Sequence, residues 1–412
     1  MEQFVIVGGG PAAHQAARSI LQGRPQARLS LVSNEARLPY DRPDLSKGFM
    51  AGNAALPALL AGEGLYSEPR VEWMGGTSVA EIDRRAARVR LDNGVSLGYD
   101  KLVIATGSRI RPLPGEVAQA PVHYLRTFED ARALRSLLVD QARVVIIGGG
   151  FIGLEVAAAA RQRGCRVTVI EAQAQLLART GCAVLSRWAR TLHAENGVDV
   201  RLQAKVDAIE PGPCGNTLVR TSAGPVHADV VVVGIGVQPN TELAQACGLE
   251  VDDGILVDSA CTTRDPTIFA AGEVTRYTVT QLGVRTRSES WTAAGEQGSV
   301  AGRAAAGDAA AAYGEMPWLW SDQYSSTLQC LGIPQLAHKY ACLGDPDADQ
   351  WLALGWSLDD RLVCAIGANR NRDISAIRRG MKRNEPLADI YASALASAQS
   401  LSMEPVVERR VV

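Results

Sequence analysis

The chain has 412 residues, 47% of them hydrophobic, with 40 glycines and a formal net charge of -2. That length exceeds a single core and sets an expectation of two to three domains, while the near-neutral balance leaves no electrostatic footprint for nucleic acid or an anionic membrane. No apolar run is long enough to span a bilayer, and the opening MEQFVIVGGG enters a strand with no basic region or cleavage site, so a cytosolic protein is expected.

Phe4 to Val7 read as a strand, Gly8, Gly9 and Gly10 as a loop, and Ala12 to Leu21 as a helix. Ala13 takes the place of the third glycine, which the G-x-G-x-x-G/A dinucleotide fingerprint allows, so Gly8, Gly10, Pro11, Ala12 and Ala13 are candidate ligand contacts. Leu29 to Val32 form the next strand and end in Ser33, Asn34 and Glu35. The segment Leu38 to Lys47 is polar and punctuated by prolines, as a loop with one helical start would be. Beyond Leu56 a loop with a short helix precedes strands at Val71 to Trp73 and Ser78 to Ile82. Arg88 to Leu91, followed by Asp92-Asn93-Gly94, reads as a hairpin. Lys101 to Ala105 is another buried strand, closed by Thr106-Gly107. An amphipathic helix is expected over Asp130 to Val139.

The stretch Arg143 to Ala172 repeats the dinucleotide device in full. Val144 to Ile147 is a β-branched apolar run, Gly148, Gly150 and Gly153 complete G-x-G-x-x-G, and Leu154 to Arg163 should wind as a helix. Glycines there let the backbone turn and approach a pyrophosphate whose charge the helix N-terminus holds. Arg166 to Ile170 is the following strand, and Glu171 stands where a carboxylate would accept hydrogen bonds from a ribose diol. It would repel a 2′-phosphate, and Ala172 and Gln173 rather than an arginine come next, which favours NADH over NADPH. Two fingerprints imply two dinucleotides, and the economical pair is FAD and NADH.

Past Glu171 a helix is expected near Val184 to Glu195, and the strand Asp229 to Val233 ends in Gly234-Ile235-Gly236. The strand-end glycines at 105–107 and 234–236 read as crossings between domains. The expected division is an FAD-binding domain of residues 1–109 and 240–315, an NADH-binding domain of 110–239, and a C-terminal α+β domain of 316–412. Within the resumed first domain, Thr267 to Glu273 is an apolar strand with a carboxylate at its end, and Ala293 to Ala306 a helix. Tryptophans 318, 320, 351 and 356 mark the shift in composition, and a helix-like tail closes the chain. Of eight cysteines the first is Cys165, and none are spaced C-x-x-C or for zinc. This argues against dithiol chemistry, thiol peroxidation and iron–sulfur ligation, and leaves reduced, structural thiols. The five histidines show no ligand spacing, and no metal is expected.

Several longer motifs carry a family resemblance: PYDRPDLSK at 39–47, ATGSR at 105–109, LRTFEDA at 125–131, GGGFIGLEVAAAA at 148–160, VVVGIGVQPN at 231–240, TIFAAGEV at 267–274, ESW at 289–291 and PWLWSDQY at 317–324. Through them the chain resembles, nearly end to end, the NADH-dependent ferredoxin reductase components of Rieske-type aromatic-ring dioxygenases. It is similar also to the ferredoxin reductases of bacterial haem monooxygenases. Among these, AAGEV and the GGGFIGLEVAAAARQ run are nearest to reductases serving anthranilate and related aromatic acids. The resemblance implies an α/β fold with two Rossmann-like domains, glutathione-reductase-like, plus the C-terminal domain. It implies FAD contacts at Gly8, Gly10 and Ala12 (pyrophosphate), Asn34 or Glu35 (adenosine ribose), Lys47 (beside the flavin), Val79 (adenine), Arg126 (phosphates or ribityl), Glu273 (ribityl), Trp291 and Trp320, and it places Glu155 near the nicotinamide. Arg42, Ala105, Thr106, Gly107, Phe151, Ile152, Arg179, Gly234, Ile235, Gly236, Gly272, Glu289 and Ser290 are further cofactor-binding candidates, beside Gly148, Gly150, Gly153 and Glu171 of the second fingerprint. Two positions depart from the pattern: Glu273 stands where the family mostly has aspartate, and Asp44 replaces a usual proline, which should leave the loop before Lys47 less stiff.

The activity so implied is hydride transfer from NADH to FAD, with electrons then leaving singly to a [2Fe–2S] ferredoxin. Lys47, Glu155 and Trp320 are the candidate catalytic residues, Glu155 as the ion partner of Lys47. Each has a bland rival. Lys47 would serve as a surface helix residue, Glu155 as a solvent-facing charge, Trp291 and Trp320 as core aromatics, and Glu273 as a strand-end charge. The basic run Arg370, Arg372, Arg378, Arg379, Lys382 and Arg383, relieved by Asp373 and Glu385, is either a docking surface for an acidic ferredoxin or a solvated helix face. Rubredoxin, a haem-monooxygenase ferredoxin, quinone or oxygen as acceptor, a slow-turnover flavin- and NADH-binding signalling protein, and monomer or homodimer all stay open.

Overall fold

The computed structural model describes residues 1–53, 55–60, 64–212 and 215–383. The chain divides into two units. One comprises Met1–Asp41, Ala58–Arg109 and Gln238–Trp318, and the other Arg42–Pro57, Ile110–Val237 and Leu319–Val412.

The first unit is built on a five-stranded parallel sheet ordered Ile268–Ala270, Lys101–Ile104, Gln3–Val7, Arg28–Ser33, Val71–Gly75. Phe4, Val5, Ile6 and Val7 are buried, as are Leu102, Val103 and Ile104, because the middle strands are covered on both faces and leave no polar side to alternate with. The helix Pro11–Gly23 follows the first strand, and Trp291–Ala305 packs along it. Their contact is backbone to backbone. A methyl group at Gly298 would stand 2.2 Å from the Ala12 carbonyl oxygen, and one at Gly302 2.4 Å from that of Ala16. A separate antiparallel sheet of Val79–Asp83, Arg88–Leu91 and Ser96–Gly98 contains the expected hairpin.

The second unit carries a four-stranded parallel sheet ordered Asp199–Arg201, Arg166–Ile170, Arg143–Ile147, Val230–Val233. The antiparallel strands Val206–Pro211, Thr217–Thr221 and Val226–Ala228 share its core through Ile209, Val219 and Ala228, packed with Val145, Ile147 and Val231. A five-stranded sheet ordered Trp318–Gln323, Ser326–Gly332, Leu362–Ala368, Trp351–Trp356, Lys339–Leu343 follows. The helix Asn371–Lys382 packs on it through Ile374, Ile377 and Met381, which leaves Arg372, Arg379 and Lys382 exposed. Trp351 is fully buried, edge-on to Trp188 with ring centroids 6.0 Å apart.

Helix starts differ from the sequence reading for local reasons. The helix expected from Leu154 begins at Phe151, directly after the last loop glycine. The helix expected over Asp130 to Val139 spans Phe128–Leu137, because Thr127 caps it and Asp130, taken above as its first residue, closes a capping box as N3. The helix-like tail and Glu385 lie outside the described residues. Among the described residues no helix is long and apolar enough to cross a membrane, and no cluster of His, Cys, Asp or Glu is placed to hold a metal.

Candidate functional site

In the first unit, Gly8 has φ +140° and its amide donates to the Val32 carbonyl at 2.8 Å; a methyl group there would meet the Ala105 oxygen at 2.1 Å. Gly10 is different in kind. It has ordinary extended angles, no neighbouring atom within 4 Å of where a Cβ would stand, and no side chain capping the helix it begins. The packed interior therefore demands glycine at position 8, while at position 10 glycine leaves open space in front of uncapped helix amides. That is the cradle a pyrophosphate fills. Pro11 occupies the first helical turn, and Ala12 and Ala13 are buried behind it.

Around this loop, Asn34 is exposed and Glu35 accepts from the Tyr40 hydroxyl at 2.7 Å. Val79 is half-buried, paired with Leu91 in the small sheet. Ala105 is buried, and Asn240 clasps the next residue: its side chain donates to the Thr106 carbonyl at 2.9 Å, and its own carbonyl accepts from the Thr106 hydroxyl at 2.8 Å. Gly107 lies at φ +62°, and Gly272 at φ +87° with its amide bonded to Gln297 at 2.8 Å. Glu273 accepts from the Ser108 hydroxyl, so its longer side chain has a fixed partner at the strand end. Glu289 accepts from Arg287 at 2.9 Å. Ser290 caps the helix Trp291–Ala305 and donates to the Trp318 carbonyl, while Trp291, at the first position of that helix, is 38% exposed.

In the second unit the same logic recurs. Gly148 has φ +106° and abuts the Gly234 carbonyl, and a Cβ on Gly153 would stand 2.3 Å from the Gly148 oxygen, so helix and strand meet without side chains between them. Gly150, like Gly10, faces open space and begins an uncapped helix. Glu171 accepts from the amides of Gly149 and Gln173 at 2.7 and 2.8 Å, which fixes the carboxylate at the strand end and leaves lone pairs for a ribose. Arg179 brings its guanidinium 3.6 Å from the Cβ position of Gly236, and its carbonyl accepts from Gln335. Phe151 is half-buried, whereas Ile152 and Ile235 are exposed although large and apolar.

Lys47 lies between the short helical segment Arg42–Ser46 and the turn Gly48–Ala51, at the N-cap of the latter. The loop is tied rather than loose: Asp44, at the departing position, accepts from the Phe49 amide at 3.3 Å, and the Lys47 amide donates to the Asp44 carbonyl at 3.1 Å. Arg42 donates to the Arg126 carbonyl at 2.9 Å, and the Arg126 amide to Asp130 at 3.1 Å. Glu155 does not face solvent. It is 3% exposed in the helix Phe151–Gln162, where its Oε1 pairs with Lys47 Nζ at 2.9 Å and accepts from the Ser321 hydroxyl at 2.6 Å, and its Oε2 accepts from the Ser46 hydroxyl. An ammonium and two hydroxyls, all donors, converge on it, and that set suits an ionised carboxylate. The ammonium also lies 5.9 Å from the centroid of the half-buried Trp320 ring.

Lys47, Glu155 and Trp320 thus come together from three distant segments. Ser46 and Ser321, absent from the expected site residues, join them; the signal for each in the sequence is its place directly beside Lys47 or Trp320. The seven described cysteines are all free, and burial pushes the Cys182 thiol up to about 11 and those of Cys261 and Cys364 up to about 12.

Two glycine loops, each opening an uncapped helix with empty space at its second glycine, fit two dinucleotides, and this is the class that the fold and site define. Residues 2–298 match the model of the pyridine nucleotide-disulphide oxidoreductase family, and residues 318–399 match that of the reductase C-terminal domain. The chain belongs to the pyridine nucleotide-disulphide oxidoreductases, as an enzyme that uses FAD and NAD(H). It is 47% identical to the anthranilate 1,2-dioxygenase system ferredoxin--NAD(+) reductase component of Burkholderia cepacia, over 92% of this chain and 93% of that one. Rhodocoxin reductase of Rhodococcus erythropolis is 38% identical over 95% and 92% of the two chains. Among solved structures, the covalent putidaredoxin reductase–putidaredoxin complex matches with a TM-score of 0.88 at 32% identity, covering 96% of this chain and 99% of that one.

Proposed function

We propose that the protein is a cytoplasmic NADH:ferredoxin reductase, feeding a [2Fe–2S] ferredoxin that serves an aromatic-ring dioxygenase of an acid such as anthranilate. Bound FAD supplies the chemistry of taking a hydride from NADH and giving up its electrons one at a time. The chain's own part is to bind, orient and hold charge. Gly8, Gly10 and the helix after them would hold the FAD pyrophosphate, with 1–109 and 240–315 as the FAD domain. Gly148, Gly150, Glu171 and Arg179 would hold NADH on 110–239, and 316–412 would supply Trp320. Lys47 would place its ammonium beside the flavin, fixed there by Glu155.

The observation that carries this reading is the buried Lys47–Glu155 pair with its two serine donors, in a chain that has no cysteine before Cys165. Charge placement by a fixed ammonium, rather than thiol exchange, is what such a centre offers to an incoming hydride. Ferredoxin is expected to dock on the helix Asn371–Lys382, steered by Arg378, Arg379, Lys382 and Arg383.

The test is cytochrome c reduction by NADH with purified protein, with and without an added [2Fe–2S] ferredoxin. The reading expects NADH-dependent reduction that requires the ferredoxin and slows with rising salt, more steeply in the wild type than in an Arg379→Glu variant. Equal rates without ferredoxin would contradict it. Faster reduction with a haem-monooxygenase ferredoxin than with a dioxygenase ferredoxin would move the assignment to the other branch.

A further inference from the structure

Glu155 is the end of a longer buried chain of hydrogen bonds that the reaction as described does not use. The Ser321 hydroxyl meets Glu155 Oε1 at 2.6 Å, Gln323 Nε2 donates to Ser321 Oγ at 2.9 Å, and Gln323 Oε1 lies 2.8 Å from His193 Nε2. The Tyr324 hydroxyl lies 3.3 Å from His193 Nδ1. His193 and Ser321 are 0% exposed and Gln323 1%. The chain joins the helix Ala183–Glu195, the strand Trp318–Gln323, on which Ser321 and Gln323 share a face, and the helix Phe151–Gln162.

We propose that Ser321, Gln323 and His193 act as positioning residues, a one-way chain of donors that holds the Glu155 carboxylate and through it the Lys47 ammonium. The direction follows from the donor inventory. A carboxylate can only accept, so Ser321 gives its proton to Glu155 and must accept from the Gln323 amide. The Gln323 oxygen then faces His193, whose Nε2 must carry the hydrogen, which leaves Nδ1 to accept from Tyr324. Burial lowers His193 to about 4, so at neutral pH the ring is uncharged and has the single donor and single acceptor that the chain requires. The Gln323 amide, which donates through nitrogen and accepts through oxygen, also blocks proton passage along the line. The arrangement is a brace and not a proton wire.

The kinetic part of this inference rests on the reductase reading; the hydrogen-bond order does not. Two measurements on the FAD-loaded protein test it. Nitrogen-15 NMR of labelled histidine should find His193 as the Nε2–H tautomer at neutral pH, and a Gln323→Met variant should shift that nitrogen. An Nδ1–H tautomer in the wild type overturns the proposal. In anaerobic stopped flow, Ser321→Ala should lower the limiting rate of flavin bleaching by NADH about tenfold, the value of one hydrogen bond to a charged group, and Gln323→Met, which removes the neutral donor behind it, about threefold. The NADH dissociation constant should stay within about twofold. Ser321→Thr, which keeps the hydroxyl, should restore the rate. An unchanged limiting rate in both variants, or no rescue by threonine, also overturns the proposal. Wild-type flavin that NADH does not bleach would instead sink the reductase reading, and the tautomer would still decide the order of the chain.

Discussion

At position 155 a single carboxylate neutralises an ammonium that keeps only 15% of its side-chain surface. Removing one member of such a pair leaves a desolvated charge, and that costs more than the pair itself contributes. Glu155→Leu is therefore expected to lower unfolding stability by on the order of 3 kcal/mol. Lys47→Met combined with Glu155→Leu should cost clearly less than the sum of the two single changes. Denaturant titration of the four proteins in one cycle checks this, and strictly additive losses would show that the two side chains do not sense each other. Lys47 and Glu155 are legible as a pair because they are opposite charges, Glu155 the only charge in the motif at 148–160, whereas the uncharged Ser46, Ser321 and Gln323 carry no such mark within their motifs. The contacts of these residues and of His193 that reach 109 to 166 residues along the chain leave no local pattern.

Between elements, the glycines divide into those the packing needs and those a ligand needs. Gly298 and Gly302 let two helices touch backbone to backbone, so Gly298→Ala must push the Ala12 carbonyl away and should cost about 1–3 kcal/mol. Gly10 and Gly150 crowd nothing. Gly10→Val should leave the thermal midpoint of the flavin-free protein in place while abolishing retention of FAD on gel filtration, and Gly150→Val should do the same for NADH affinity measured by calorimetry. A flavin-free Gly10→Val protein as unstable as Gly298→Ala would contradict the division. The two fingerprint units were readable because strand, loop, helix, strand and acid follow one another within some thirty residues of local pattern. The glycine stripe of Trp291–Ala305 was not singled out, since glycine within a helix announces close packing only once its partner is known.

For the whole molecule, acid should be the weak side. Burial lowers His14 and His193 from the ordinary 6.5 to about 4, with nearby Arg18 adding to the effect at His14. Between those values the unfolded chain binds protons that the folded one refuses, so stability falls as pH drops from about 6.5 toward about 4 and is flat in this respect above it. Melting midpoints measured across that range should decline, and a His14→Gln variant, uncharged in both states, should decline less steeply. The two parallel sheets and both dinucleotide loops are legible as runs of β-branched residues with glycine ends, and the C-terminal α+β domain as a shift in composition marked by its tryptophans. The burial of Ser46, Phe49 and Met50, in the stretch Arg42–Pro57 that clusters with Glu155 and Ser321, leaves no mark in the sequence, because it depends on partners far along the chain. The most direct test of the account is anaerobic mixing of the purified yellow protein with NADH and then with oxidised [2Fe–2S] ferredoxin. The flavin colour should be lost with NADH, more readily than with NADPH, and return as the ferredoxin is reduced; flavin that stays oxidised under excess NADH, or that ferredoxin cannot reoxidise, would rule out a ferredoxin reductase.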